Sequence, residues 1–431
     1  MSTSFIPIRR SAVVVSALLA VIGLTLAGCT SPPSATDRAP ASTAGDGHGF
    51  VAGAAEMPEP QLRLITLGET GLQAFDPATG DSVALLDEAQ GALSSDGRYA
   101  VVTEPDGRAT VVDTGTWTVP HGDHSHYYLA EPRSLGRLDD RADAGPARLA
   151  SSTTLTAVSL PGAGDSSAGE GLGIVLDGEA LADGRLEERA RIPLAAGGAL
   201  LPLEDLLVGP APDSENVEAG ALASYSADGI RLDVEADCAA PAGAELTRVG
   251  AAFSCADGAV LATAETGGGS IRFERIPYPD DIADGDRAMS FAGRPGRPDV
   301  AAVAGGRGAW LLDTRDRRWT LLPSPAPLLR ATAVGDADGT VVGVDVEGRI
   351  VVLDAQSAGD GAAPARSEPV LAAEIVDGQV PAELVFEVDA DRAYVNAPSA
   401  GTVLEIDYRD RARIARTLDI PGGAAALAEV G

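Results

Sequence analysis

His121-Gly122-Asp123-His124-Ser125-His126 gathers three of the four histidines in the chain around one aspartate. Imidazole is the commonest metal ligand among side chains, and its neutral ring nitrogen suits zinc. A chain this poor in histidine that sets three of them in one short segment uses them together. Zinc takes four donors, with imidazole nitrogens at about 2.0–2.1 Å. The i, i+3, i+5 spacing lets three rings meet at one ion if the backbone curls at Gly122 and Ser125. Asp123 is the nearest fourth donor, or else the group that orients a ring from behind. Glu131, a residue from elsewhere in the fold, or water would also serve. Copper and nickel share the imidazole preference, although only three methionines, Met1 included, argue against a cuprous site. Trp117 and Pro120 precede the cluster and Tyr127 and Tyr128 follow it. They predict a pinned loop, its aromatic rings packed on the body and its imidazoles turned inward.

The elements that must carry this loop follow from a repeat. Short runs of β-branched and aliphatic residues alternate with Gly-containing turns, and the second run of each unit ends in an aspartate. Ser94 to Asp113, Gly339 to Asp354 and Asp391 to Asp407 are the clearest copies, with weaker ones at Leu64 to Asp76 and Val300 to Asp313. Such runs are hairpin strands. Small antiparallel sheets recurring roughly every 40 to 50 residues predict an all-β chain folded as a single β-propeller. Its length fits about seven blades, or eight, because the copies between 150 and 300 are irregular. Leu181 to Arg191 is the nearest approach to a helical period. Gly267-Gly-Gly-Ser270 lacks the lysine and following helix of a phosphate loop and reads as a hairpin turn. The histidines follow Asp113 directly, so they belong to a connection between strands, where propellers commonly build binding sites.

The N-terminus reads as a processing signal. Arg9 and Arg10 precede an apolar stretch from Ser11 to Gly28, which ends in Leu26-Ala27-Gly28-Cys29, the form of a bacterial lipobox. Residues 1–28 are therefore expected to be removed and Cys29 lipidated, which places the protein outside the cytoplasm on the outer face of the cell membrane. Residues 29–58, rich in Pro, Ser, Thr, Ala and Gly, read as a flexible tether, and 59–431 as the propeller. His48, inside the tether, reads as a solvated linker residue. In an oxidising compartment Cys238 and Cys255 are expected to form a disulfide. The net charge is −31, from 63 acidic against 32 basic residues, and every basic residue is an arginine. That balance argues against nucleic acid, whose binding needs cationic patches, and is compatible with drawing in cations.

With its histidine segment in view, the chain resembles the AztD family of zinc metallochaperones. The resemblance rests on Val111 to Tyr128, with the His-Gly-Asp-His-x-His-x-Tyr core, on Glu131-Pro-Arg133 beyond it, and on Cys238 with Phe253-Ser-Cys255-Ala-Asp-Gly258. It implies an extracytoplasmic propeller that carries zinc as cargo and hands it to the solute-binding protein of a zinc ABC transporter. It also implies His121, His124 and His126 as ligands, with Asp123 in or beside the coordination shell. The family's further histidines are missing: the tether has only His48, and none follows Cys238. A monomer without catalytic residues is expected.

Two other functions fit parts of the sequence. A zinc hydrolase needs an open coordination position and a base near the metal-bound water. His-Glu-x-x-His does not occur, and Asp123 could be that base only if it is not a ligand. A cell-surface propeller that binds protein or glycan through a blade face would not need the histidines.

Overall fold

The computed structural model describes Gly49 and residues 51–431 apart from 122–123, 139–145, 161, 163–170, 213–219, 266, 281 and 360. The leader, Cys29, His48, Gly122 and Asp123 lie outside the described residues. So does the side chain of His121.

The repeat read from the sequence becomes a β-propeller. Eight sheets among the described residues are blades, seven of four strands and one of three, so the ring takes the larger of the two expected counts. A blade starts with its innermost strand and works outward by hairpins. The second blade runs Ala92–Ser95, Tyr99–Thr103, Ala109–Asp113 and Arg133–Leu138. The sixth has three named strands, and Ala292 bridges Ala301 on its inner side. In the first blade Ala426–Val430 from the far end of the chain takes the inner position, pairing antiparallel with Arg63–Gly68. This closes the ring and leaves no open sheet edge there.

Burial follows position in the blade. Tyr99–Thr103 and Ala109–Asp113 are buried throughout, because middle strands pack neighbouring blades on both faces. Outer strands keep the period of two, as in Arg231–Asp237, which alternates exposed and half-buried. The apolar clusters sit between blades. Val342, Val344 and Ile350 of the seventh pack on Val395 and Ile406 of the eighth. Leu261 and Ile276 of the fifth pack on Trp310 and Trp319 of the sixth.

The repeated aspartates close the turn from third to fourth strand. Asp76, Asp313 and Asp354 each accept a backbone N–H two or three residues on, at 2.8, 2.8 and 2.6 Å, the local bond that makes aspartate a turn former. Asp177 does the same for Ala180 at 2.9 Å and starts the short helix Gly178–Ala182. Helix thus reaches into the segment Leu181 to Arg191 only at Leu181 and Ala182, and Glu188–Leu194 is strand. Glu265 and Ser270 face each other across the expected glycine turn, with Glu265 N donating to Ser270 O at 3.0 Å.

Cys238 and Cys255 form the expected disulfide, with Cα atoms 5.1 Å apart. It ties the end of the fourth blade's outer strand to the second strand of the fifth. Constraining a loop of this size contributes about 3 kcal/mol in the chain-entropy model. The bond fits an oxidising, extracytoplasmic setting. Among the described residues no helix is long and apolar enough to cross a membrane.

Candidate metal site

Between the third and fourth strands of the second blade the chain makes a β-hairpin, Thr116–His121 paired with His124–Leu129. The sequence reading expected a loop curled at Gly122 and Ser125. Instead the β-branched and aromatic residues Thr116, Trp117, Thr118, Val119, Tyr127 and Tyr128 favour extended strands. Ser125 sits within the second strand. The register sets His121 opposite His124, Val119 opposite His126 and Trp117 opposite Tyr128. Residues directly opposite, and those two apart, share a face. His124, His126 and Tyr128 therefore stand in file on the same face as Trp117. Tyr127, expected to pack inward with its neighbour, belongs to the other face and is only half-buried.

The file is anchored at its base. Trp117 and Tyr128 are buried and stack at 5.3 Å between ring centroids. The Arg98 guanidinium lies 3.8 Å over the Trp117 ring. Asp113, 2% exposed, holds Arg98 at 3.1 Å and Arg133 at 3.4 Å. The Thr116 hydroxyl donates to Gln61 O at 2.8 Å, and the Thr118 hydroxyl donates to the Gly431 carbonyl. The hairpin thus starts in the outer half of its blade and is bonded at its base to Gly431, next to the innermost strand of the neighbouring blade.

From this base exposure rises toward the tip: Tyr128 is buried, His126 half-buried and His124 exposed. The rings of His126 and Tyr128 are nearly parallel at 6.4 Å, and those of His124 and His126 meet edge-on at 5.0 Å. Two imidazoles sharing one tetrahedral zinc with nitrogens at about 2.0–2.1 Å have centroids about 5 Å apart. The observed pair fits a common ion. Backbone register puts His121 opposite His124, and Asp123 falls in the connecting turn outside the described residues. Glu131 is exposed beyond the hairpin. Among the described residues no three His, Cys, Asp or Glu side chains converge as a complete ligand group.

One residue escaped the sequence reading. The strand Ala55–Met57, in the segment read as tether, adds to the hairpin edge with Glu56 opposite Tyr128. Its carboxylate Oε1 lies 2.7 Å from His126 Nδ1. No local pattern announces this contact, because it joins strands far apart in sequence.

The inner strands offer a second candidate. A cavity of about 180 Å³ is lined by Ser94, Arg148, Leu201, Glu245, Leu246 and Phe291. Burial pushes the Glu245 carboxyl up to about 7, with the Arg148 charge opposing it. Burial likewise raises Glu387, on the inner strand of the eighth blade, to about 7. These carboxyls hold protons near neutrality, which suits them poorly to holding a cation.

No family model matches the chain, and no curated protein matches it. Solved structures do. Apo AztD from Citrobacter koseri is similar at a TM-score of 0.66 and 15% identity, over 86% of this chain and 98% of that one. A second crystal structure of Citrobacter koseri AztD gives 0.65 and 15%, over 86% and 97%. At that identity the likeness is one of fold: the chain is a β-propeller similar in architecture to AztD.

Proposed function

We propose that the protein is an extracytoplasmic zinc carrier whose hairpin binds the ion through His121, His124 and His126, with Asp123 in or beside the shell. Zinc is its cargo. The reading rests on one observation above the rest, the file of imidazoles on a single pinned hairpin with His124 and His126 rings 5.0 Å apart. The fold likeness to AztD supports it. An arriving ion meets exposed His124 before half-buried His126, and an acceptor can take over the ligands in the reverse order, one at a time. Exchange by steps avoids releasing the ion to water. The net charge of −31 raises the local cation concentration around the site. The acceptor in this reading is the solute-binding protein of a zinc ABC transporter, and the lipid on Cys29 keeps the carrier at the membrane where that transporter sits.

The test is zinc stoichiometry and affinity of the metal-stripped mature chain beside its His121→Ala/His124→Ala/His126→Ala variant. One tightly held zinc in the wild type and none in the variant is the expected result, followed by transfer to the solute-binding protein faster than free dissociation allows. Equal zinc binding by both chains overturns the assignment.

A further inference from the structure

The strand Ala55–Met57 is seated by more than its three residue pairs. Trp117 Nε1 donates to Gly49 O at 3.2 Å, and Ala54 N to Val51 O at 3.0 Å. Gly49 lies so close to Val119 that a Cβ there would stand 2.5 Å from its Cγ2. Val119 is the residue opposite His126. Gly49 therefore meets the hairpin at Trp117 and at Val119 opposite His126, and the added strand holds its other edge from Tyr127 to Leu129.

Register then explains which side chain reaches the ring. Glu56 pairs with Tyr128, so it shares a face with His126 and is its diagonal neighbour, within reach of a long side chain. The imidazole side chain is 14% exposed and the carboxylate 55%. A carboxylate only accepts hydrogen bonds. A ring nitrogen 2.7 Å from it must be the one that carries the proton. In a neutral imidazole the remaining lone pair is then on Nε2.

We infer that Glu56 is a positioning residue of the zinc site: it holds His126 in the Nδ1–H tautomer and turns Nε2 toward the ion. This rests on the zinc reading above and adds to it a residue outside the histidine segment. Glu56 acts on the far nitrogen and is not itself a ligand. A carboxylate behind a metal-bound imidazole raises its basicity and fixes its direction, and losing such a partner weakens metal binding about 10- to 100-fold.

The experiment uses the mature chain and Glu56→Ala, Glu56→Gln and Glu59→Ala variants, with two readouts. The first is the imidazole tautomer from long-range nitrogen–proton NMR on metal-free protein at pH 8. Only four histidines need assigning. The second is zinc affinity. His126 is expected as Nδ1–H in the wild type and in Glu59→Ala, and as a tautomer mixture in Glu56→Ala, with zinc bound about 10- to 100-fold more weakly. Glu56→Gln, whose amide oxygen still accepts from Nδ1, is expected to keep the tautomer and recover most of the affinity. An unchanged tautomer in Glu56→Ala overturns the inference, whether affinity falls or holds. If instead the triple histidine variant binds zinc as well as the wild type, the carrier reading fails while the tautomer still judges the Glu56–His126 contact.

Discussion

At Asp313 the chain leaves the third strand of its blade and enters the fourth by Arg318, the carboxylate accepting from the amides of Arg315 and Asp316 at 2.8 and 3.0 Å. At Asp113 it leaves an equivalent third strand and enters the fourth only at Arg133. Everything between is the histidine hairpin. The second aspartate still closes a turn, accepting from Gly115 N at 3.1 Å, but it also binds Arg98 and Arg133, and Arg98 carries Trp117. The difference teaches how a site is added to a repeat: the ordinary turn former is kept and one of its arginines carries the insertion's tryptophan, so that the insertion stands on the blade's own foundation.

That contrast can be broken most severely at Trp117. Trp117→Ala removes a buried ring, a loss of about 3 kcal/mol or more. Because the ring belongs to the insertion, the loss is expected locally. Amides of Thr116–Leu129 should exchange with solvent about 100-fold faster, while those of Val341–Asp345 in the seventh blade keep their rates. Global loss of protection would mean that the hairpin and ring unfold as one unit.

A middle-sized effect separates the two aspartates. Asp113→Ala strips a buried carboxylate from two partly buried arginines and is expected to cost about 2–3 kcal/mol in urea denaturation, below the full buried-pair value because both guanidinium groups retain some water. Asp313→Ala loses only its turn bonds, about 1 kcal/mol. Equal losses would reduce Asp113 to a turn former like the others.

The smallest effect contrasts the insertion with the inner strands. Glu245 and Glu387 are raised by burial from 4.5 to about 7. Between those values the folded chain binds more protons than the unfolded one, so stability is full at low pH and declines as pH rises toward and through 7. Glu245→Gln is expected to flatten that decline, with melting temperatures matching wild type at pH 5 and exceeding it at pH 8. The Trp117→Ala difference should carry no such slope.

Five blades were readable where aspartate ends the third strand, because one side chain there both stops the strand and makes the turn; the third blade keeps that aspartate, Asp177, without a legible repeat around it. In the fourth and fifth blades the same position is filled differently. Ser226 closes its turn through its hydroxyl, accepting from Ile230 N at 3.2 Å, and Ala264 is followed by Glu265. The architecture continued while its marker residue changed, which is why the blade count could not be fixed from the chain alone. At the site, the histidines and the buried Trp117–Tyr128 base were legible from residue type and scarcity. The strand geometry was not, since Pro120 and Gly122 read equally as loop. Glu56 was beyond reach, because its role depends on which strand lies beside the hairpin.

Closure of the ring has a consequence for biogenesis. Arg63–Gly68 is synthesised early and its inner partner Ala426–Val430 late, so the first blade must wait with an unpaired edge until both have been made. Long-range pairings of this kind form slowly, because loop entropy must be overcome before any contact rewards it. The base of the histidine hairpin is bonded to Gln61 on one side and Gly431 on the other, and both are set only when that blade is complete. The candidate zinc site is thus a late-maturing part of the molecule, and a half-folded chain would offer the metal no finished seat.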